Sequence, residues 1–142
     1  MAQAAHDGAG ESSMLVEARE AMPEMLLDAS GYLFVCPENL ASMSGAMKEM
    51  FDRCYYPLLG HIEGRAYATA ISAGSDGTGA QAQIDRIVKG WRLKRVAEPL
   101  IVNCEAQTPE AILAQKNLSA ETITLCRELG AALAEGLRLR IF

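Results

Sequence analysis

The chain has no apolar run near the length of a bilayer span and no cluster of basic residues. A spanning helix needs about 20 apolar residues in succession, so no membrane partner is expected. Lys and Arg number 13 against 18 Asp and Glu, a net charge of -5. An acidic chain without a basic patch matches neither nucleic acid nor an anionic membrane surface. Histidine is scarce, with only His6 and His61, and Cys36, Cys54, Cys104 and Cys126 form no Cys-x-x-Cys pair. That spacing argues against a zinc or disulfide framework; it fits buried thiols in a reducing compartment, hence a cytoplasmic location. Met1 to Gly10 has neither the basic start nor the apolar core of a secretory leader.

Catalytic signatures are missing too. Gly74 to Gly79 is not followed by Gly-Lys-Ser/Thr and lacks the Gly-x-Gly-x-x-Gly order, which excludes a Walker A loop and a dinucleotide fingerprint. The sixth residue after Cys36 is Ser42, not the arginine of a cysteine phosphatase, and Cys36-Pro37-Glu38 offers no response-regulator acceptor Asp. Ser72 and Ser75 lie outside any nucleophile elbow. His61 reads as a surface loop residue.

What is present is a chain of 142 residues, half of them hydrophobic and 22% charged. That suffices for one domain with a real core, read here as residues 1–142. Met1 to Gly10 resembles the last turns of a helix with glycine stops. Met14 to Ala18 is a candidate strand, and Pro23 opens a short helical turn. Tyr32 to Cys36 is a short, apolar, buried-strand run. Ser44 can cap a following helix whose apolar face is Met47, Met50, Phe51, Cys54, Tyr55 and Leu58. Lys48 with Asp52 and Glu49 with Arg53 are one turn apart on its outer face, and Pro57 and Gly60 end it. The apolar exit Tyr55 to Leu59 is either core or a candidate self-association surface, so a homo-oligomer is allowed.

Ala66 to Ala73 is the next strand. A helix with Ile84, Ile87, Val88 and Trp91 on one face follows. Leu100 to Cys104 is a strand, or one interrupted near Pro99. Thr108-Pro109-Glu110 starts a helix, and Ser119 caps a last one to about Leu137, with Ile123, Cys126, Leu129, Leu133 and Leu137 inward. Alternating strands and helices predict an α/β fold with a parallel sheet covered on both sides. Ligand sites in such sheets lie at strand carboxyl ends. Two loops there, Pro37 to Gly45 and Ser72 to Gly79, are rich in small and hydroxyl residues. They suit a flat heteroaromatic ligand or an anion, although tight turns need such residues anyway.

The pattern Pro37-x-x-x-x-Ser42-Met43-Ser44-Gly45-x-Met47-Lys48-x-x-x-Asp52-Arg53 resembles the second flavin loop and following helix of flavodoxin-like NAD(P)H-dependent FMN oxidoreductases. Ser72-Ala73-Gly74 with Gly77-Thr78-Gly79 is similar to their third loop. The resemblance implies a flavodoxin-like three-layer sandwich, FMN as cofactor, NAD(P)H as reductant and a small-molecule acceptor such as a quinone. Carried over by position, Pro37, Glu38, Asn39 and Leu40 would line the isoalloxazine, and Ser42, Met43, Ser44 and Gly45 would shape the loop. Ser72, Ala73, Gly74, Gly77 and Gly79 would face the ring's polar edge. Asn39 stands where the family often has an aromatic. No catalytic acid or base is needed, since the flavin carries the redox step.

The family's first strand and its Ser/Thr-rich phosphate loop have no counterpart here. Without that strand, Met14 to Ala18 and Tyr32 to Cys36 would stand about 10 Å apart with unpaired ladders. Three arrangements meet this: Met1 is internal to a longer chain, the two strands pair directly, or a partner chain fills the gap. A phosphate without its cradle forfeits several charge-assisted hydrogen bonds of roughly 1.5–3 kcal/mol each, so FMN is expected to bind weakly or not at all. The leading reading is an FMN-dependent oxidoreductase or an incomplete copy of one. The alternatives are a non-catalytic flavodoxin-like binding module and an electron carrier.

Overall fold

Strand β1 (Gly31–Asn39) pairs in parallel with β3 (Ala66–Ala73), in a register that sets Tyr32 beside Tyr67 and Pro37 beside Ser72. The computed structural model describes residues 1–142. On its far side β3 pairs in parallel with β4 (Lys94–Arg95) and then β5 (Leu100–Asn103). These two short strands are the interrupted form of the expected one: Pro99 has no N–H to give the ladder. A two-residue strand, β2 (Ser42–Met43), folds back antiparallel on the end of β1 and makes a small hairpin absent from the sequence reading.

Two layers of helix cover the sheet. On one face α3 (Gly45–Leu58) and α4 (Thr78–Gly90) enclose the main core with Phe34, Phe51, Ile71, Ile84 and Trp91. Phe51 and Trp91 meet at 5.4 Å between ring centroids, and the Trp91 indole N–H donates to the Tyr55 carbonyl at 2.9 Å. On the other face α6 (Ala120–Arg138) lays Leu133 against Ala66 and Ala68. Helix α1 (Ala2–Ala9) crosses α6 so closely that a Cβ on Gly130 would stand 1.9 Å from the Ala5 carbonyl oxygen. The result is the covered α/β sheet that the strand–helix alternation predicted, in the flavodoxin-like three-layer form that the resemblance implied.

The local signals mostly act as read. Ser44 accepts the Met47 N–H, Thr108 accepts that of Ala111 at the start of α5 (Pro109–Leu113), and Ser119 accepts that of Thr122. Lys48 pairs with Asp52 and Arg53 with Glu49. Pro57 does not stop α3 where it stands; it sits in the last turn, one residue before the end. Leu58 is buried and Tyr55 stacks on Trp91, while Tyr56 is 80% exposed.

One element differs. Met14 to Ala18 forms no strand, because it finds no ladder: the N–H groups of these residues have no hydrogen-bond acceptor in the chain. Val16 and Ala18 instead rest against the core, and the Arg53 guanidinium holds the Ala18 and Ala21 carbonyls at 2.8 and 3.0 Å. Arg65 does the same for α2 (Pro23–Asp28), reaching the Leu26 and Leu27 carbonyls at 3.1 and 2.8 Å and completing the end of that helix. Direct pairing of Met14–Ala18 with β1, one of the three expected arrangements, is therefore not what the chain adopts. No helix is long and apolar enough to cross a membrane.

Candidate functional site

The parallel strands end together, and the two small-residue loops leave from neighbouring ends. The loop after β3 is fixed by close approach. Gly77 has φ 89°, the left-handed region that favours glycine, and forms the amino-terminal cap of α4. Gly79 lies one residue into the helix, where a Cβ would stand 2.4 Å from the Ala41 carbonyl oxygen of the other loop. The two loops are thus in contact, and Glu38 clamps them. Its carboxylate accepts the Gly77 and Ala80 N–H groups, each at 2.9 Å. This places a negative charge on the positive end of α4 and fills two amides that a helix start leaves without partners.

The hairpin tip is Leu40-Ala41, with φ 51° and 58°. Two successive left-handed residues make the turn that suits a two-residue hairpin, but this conformation favours Asn and Gly, not Leu and Ala. Leu40 is fully exposed at the tip. Beyond it, the Ser42 hydroxyl donates to the Gln83 side-chain carbonyl at 2.8 Å and the Met43 N–H donates to the same oxygen at 3.0 Å, tying the hairpin to α4.

Beside the clamped loops, at the same end of the sheet, lies a cavity of about 320 Å³. Val35, Cys36 and Pro37 of β1 form one wall, with Ser72 of β3 and Cys104 after β5 beside them. Lys116, Leu118, Met1 and Ala2 complete the lining. The lining is mostly apolar, with one hydroxyl and one ammonium. Lys116 Nζ also donates to the Ala111 and Ala114 carbonyls at 2.6 and 2.7 Å, which fixes it at the rim. Burial pushes the Cys36 thiol up from its ordinary value; the Ser44 backbone hydrogen bond opposes this and the Glu38 charge adds to it, so the net shift favours the neutral thiol.

Of the residues singled out in the sequence, Pro37 and Ser72 line this cavity. Glu38 turns its carboxylate to α4, Asn39 and Leu40 run into the hairpin tip, and Ser42 and Met43 bond to Gln83. Ser44 caps α3, with Gly45 as that helix's first residue. Ala73 is buried, and Gly74 packs against the Ala106 carbonyl. Val35, Cys104, Lys116 and Leu118 were not singled out. Val35 and Cys104 flank strand ends that were read correctly, whereas Lys116 and Leu118 lie between helices, in a stretch with no periodicity to mark it. Cys104, read as a buried small hydrophobe, is partly exposed there.

The geometry suits a flat, largely apolar group with polar edges lying over strand ends. Residues 6–102 match the model of the family described as NADPH-dependent FMN reductase. The chain belongs to that family. No curated protein matches it. Among solved structures it is similar to a flavodoxin from the domain Archaea, at 16% identity and TM-score 0.73, over 96% of this chain and 87% of that one. A flavodoxin, WrbA-like protein from Agrobacterium tumefaciens gives 15% identity and TM-score 0.75 over the same shares, 96% and 87%. An NADPH-quinone reductase from P. pentosaceus gives 15% identity and TM-score 0.56, over 76% of this chain and 71% of its own. At such identities these likenesses establish the fold, and the family match adds the flavin-reductase lineage.

A flavin fits this family member's cavity at one end only. The ring end has apolar walls from Val35 and Pro37, with the Ser72 hydroxyl beside them. For a phosphate there is the Lys116 ammonium but no run of free hydroxyls and amides, and Glu38 already takes the Gly77 and Ala80 N–H groups.

Proposed function

We propose that residues 1–142 form one flavin-binding unit of an FMN-dependent oxidoreductase, which passes electrons from NAD(P)H to a small acceptor such as a quinone. The observation that carries this reading is the cavity of about 320 Å³ at the strand ends, in a chain of the FMN-reductase family. Val35 and Pro37 would bear on the ring, Ser72 would meet its polar edge, and the clamped loops 37–45 and 72–79 would hold that wall rigid. When bound, the flavin supplies hydride and electron transfer; the protein orients it and excludes water. No side-chain acid or base is required.

The same reading holds that these 142 residues lack the family's first strand and phosphate loop, so that the ring and not the phosphate supplies the binding energy. Flavin fluorescence tests this directly by titration with FMN and with riboflavin, which has no phosphate. The two should bind with affinities within about tenfold of each other. A preference for FMN of about 100-fold or more, equivalent to about 2.7 kcal/mol, would mean that a phosphate cradle operates. Oxidation of NADPH by a quinone in the presence of added FMN then tests the activity. The second reading, a flavodoxin-like binding module without catalysis, is favoured by Glu38. Its carboxylate saturates amides that would otherwise be free for the ring. Flavin binding without turnover of either nicotinamide would decide for it.

A further inference from the structure

The 13 Lys and Arg are unevenly spread. Five of them, Arg86, Lys89, Arg92, Lys94 and Arg95, fall close together, and residues 86–97 hold no Asp or Glu. That leaves 8 cations against all 18 acids in the rest of the chain. In the sequence the five are interrupted by Ile87, Val88, Trp91 and Leu93 and form no basic run. The fold sorts the two kinds. Val88 and Trp91 are buried in the main core, Ile87 and Leu93 pack against it, and all five cations are exposed. A chain of net charge -5 therefore carries a local patch of opposite sign, which corrects the sequence reading of an acidic chain without one.

Arg86 and Lys89 stand near the end of α4, Arg92 lies just beyond it, and Lys94 and Arg95 form β4. The Gly77 clamp is at the start of the same helix, whose 13 residues put the patch about 20 Å away from it. Two of the cations have carboxylate partners: Arg92 with Glu63 at 3.1 Å and Arg95 with Asp85 at 3.0 Å. Arg86, Lys89 and Lys94 have none. An exposed aromatic lies beside them. The Tyr55 hydroxyl abuts Gly90 so closely that a Cβ there would stand 1.9 Å from it, and the Tyr56 ring meets Tyr55 edge-on at 5.4 Å between centroids. Tyr56 itself is largely in solvent. The fold gains little from this grouping. A cation in the last turn of a helix is favourable, which accounts for Lys89, but like charges one turn apart, as Arg86 and Lys89 are, oppose helix formation.

We propose that this patch docks an acidic polypeptide segment of a partner protein, one with apolar side chains among its carboxylates. Asp and Glu side chains would meet the unpaired Arg86 and Lys89, and an apolar side chain would rest on the Tyr56 ring. The distribution of charge selects this occupant over other polyanions. A nucleic-acid strand or an anionic lipid surface extends well past the patch and would meet the acid-rich remainder of the molecule, whereas a short acidic segment meets the patch alone. Docking at this end of α4 leaves the strand-end cavity open.

The test uses no flavin, so its outcome is separate from the function proposed above. The probe is a fluorescein-labelled peptide, Glu-Leu-Glu-Asp-Leu-Glu-Asp-Glu, and the control is its neutral counterpart, Gln-Leu-Gln-Asn-Leu-Gln-Asn-Gln. Fluorescence anisotropy at about 0.15 M salt should show saturable one-to-one binding of the acidic peptide, about tenfold or more tighter than the control and weaker as salt is raised. The double variant Arg86→Ala with Lys89→Ala should weaken it about tenfold or more, and Tyr56→Ala about threefold or more. Lys48→Ala, which removes a cation outside the patch, should leave it unchanged. Equal binding of the two peptides, no binding, or unchanged binding in either patch variant overturns the proposal. A labelled oligothymidylate of the same length, or vesicles of phosphatidylserine and phosphatidylcholine, bound as tightly as the acidic peptide would assign the patch to nucleic acid or to a lipid surface. Either result overturns the proposal as well.

Discussion

Strands β1 and β3 lie side by side, are mostly apolar where they pair and share a register of seven paired residues. Their surroundings differ. β3 has strands on both sides, and seven of its eight residues are buried. From Gly31 to Pro37 β1 has a strand on one side only, with β2 reaching just Glu38 and Asn39, and its burial alternates from Gly31 to Cys36. Composition records how hydrophobic a strand's faces are. It does not record whether the backbone edges have neighbours, because the ladder groups are the same in every residue.

The largest expected effect comes from cutting equivalent apolar bulk from the two strands. Ile71 of β3 is fully buried, and Val35 of β1 is half-buried at the cavity. Ile71→Ala should cost about 2–5 kcal/mol. Val35→Ala should cost less than half of that, since part of its surface is in solvent already. Urea denaturation of both variants measures the difference, and equal losses would mean that the two strands are equally enclosed.

The next effect lies in the link between the strands' loops. Glu38→Ala leaves the Gly77 and Ala80 amides without their acceptor, at a cost of about 1–3 kcal/mol. Glu38→Gln keeps one carbonyl oxygen and should lose less. If Glu38→Ala is silent in denaturation, water replaces the carboxylate without loss and the clamp has no energetic weight. A smaller gain is expected at the tip of the β1 hairpin. Replacing Leu40-Ala41 by Asn-Gly relieves two left-handed residues and should stabilise the protein by about 1 kcal/mol. A loss of stability would show that the exposed Leu40 contributes packing that the chain alone does not reveal.

Much of the fold was legible because its signals are local. Ser44, Thr108 and Ser119 cap helices by reaching amides three residues on, and the spacing of Ile84, Val88 and Trp91 sets the buried face of α4. The strand Met14–Ala18 was misread because a strand is made by its neighbour: Val16 and Ala18 are apolar enough, but no ladder is offered to them. The β2 hairpin was missed for a related reason. Leu40-Ala41 is the wrong residue pair for its turn, so the sequence carries no turn signal there, and Gln83 on α4 supplies the holding contacts from 40 residues away in sequence. The site was half legible. Pro37 and Ser72 stand at strand ends, where the alternation points, while Lys116 and Leu118 reach the cavity through tertiary placement only.

The finest expected effect separates two tyrosines that are register partners, Tyr32 on β1 and Tyr67 on β3. Burial raises the pKa of both phenols. For Tyr67 the hydrogen bond to Asp85 at 2.8 Å and the charge of that carboxylate add to the rise, and Arg95 opposes it, leaving the group pushed up to about 12. For Tyr32 the Arg65 guanidinium, 3.1 Å from the hydroxyl, works against burial by favouring the phenolate. A phenol whose folded pKa is raised stabilises the fold below its unfolded value of 10.0, and this contribution is lost as pH rises through the folded value. Stability should therefore fall between pH 10 and about 12 with a Tyr67 component that Tyr67→Phe removes. Ultraviolet titration of the folded protein should show Tyr32 ionising before Tyr67, with Tyr32→Phe deleting the earlier step and Tyr67→Phe the later. The reverse order would mean that the Tyr32 phenol is the more enclosed of the two.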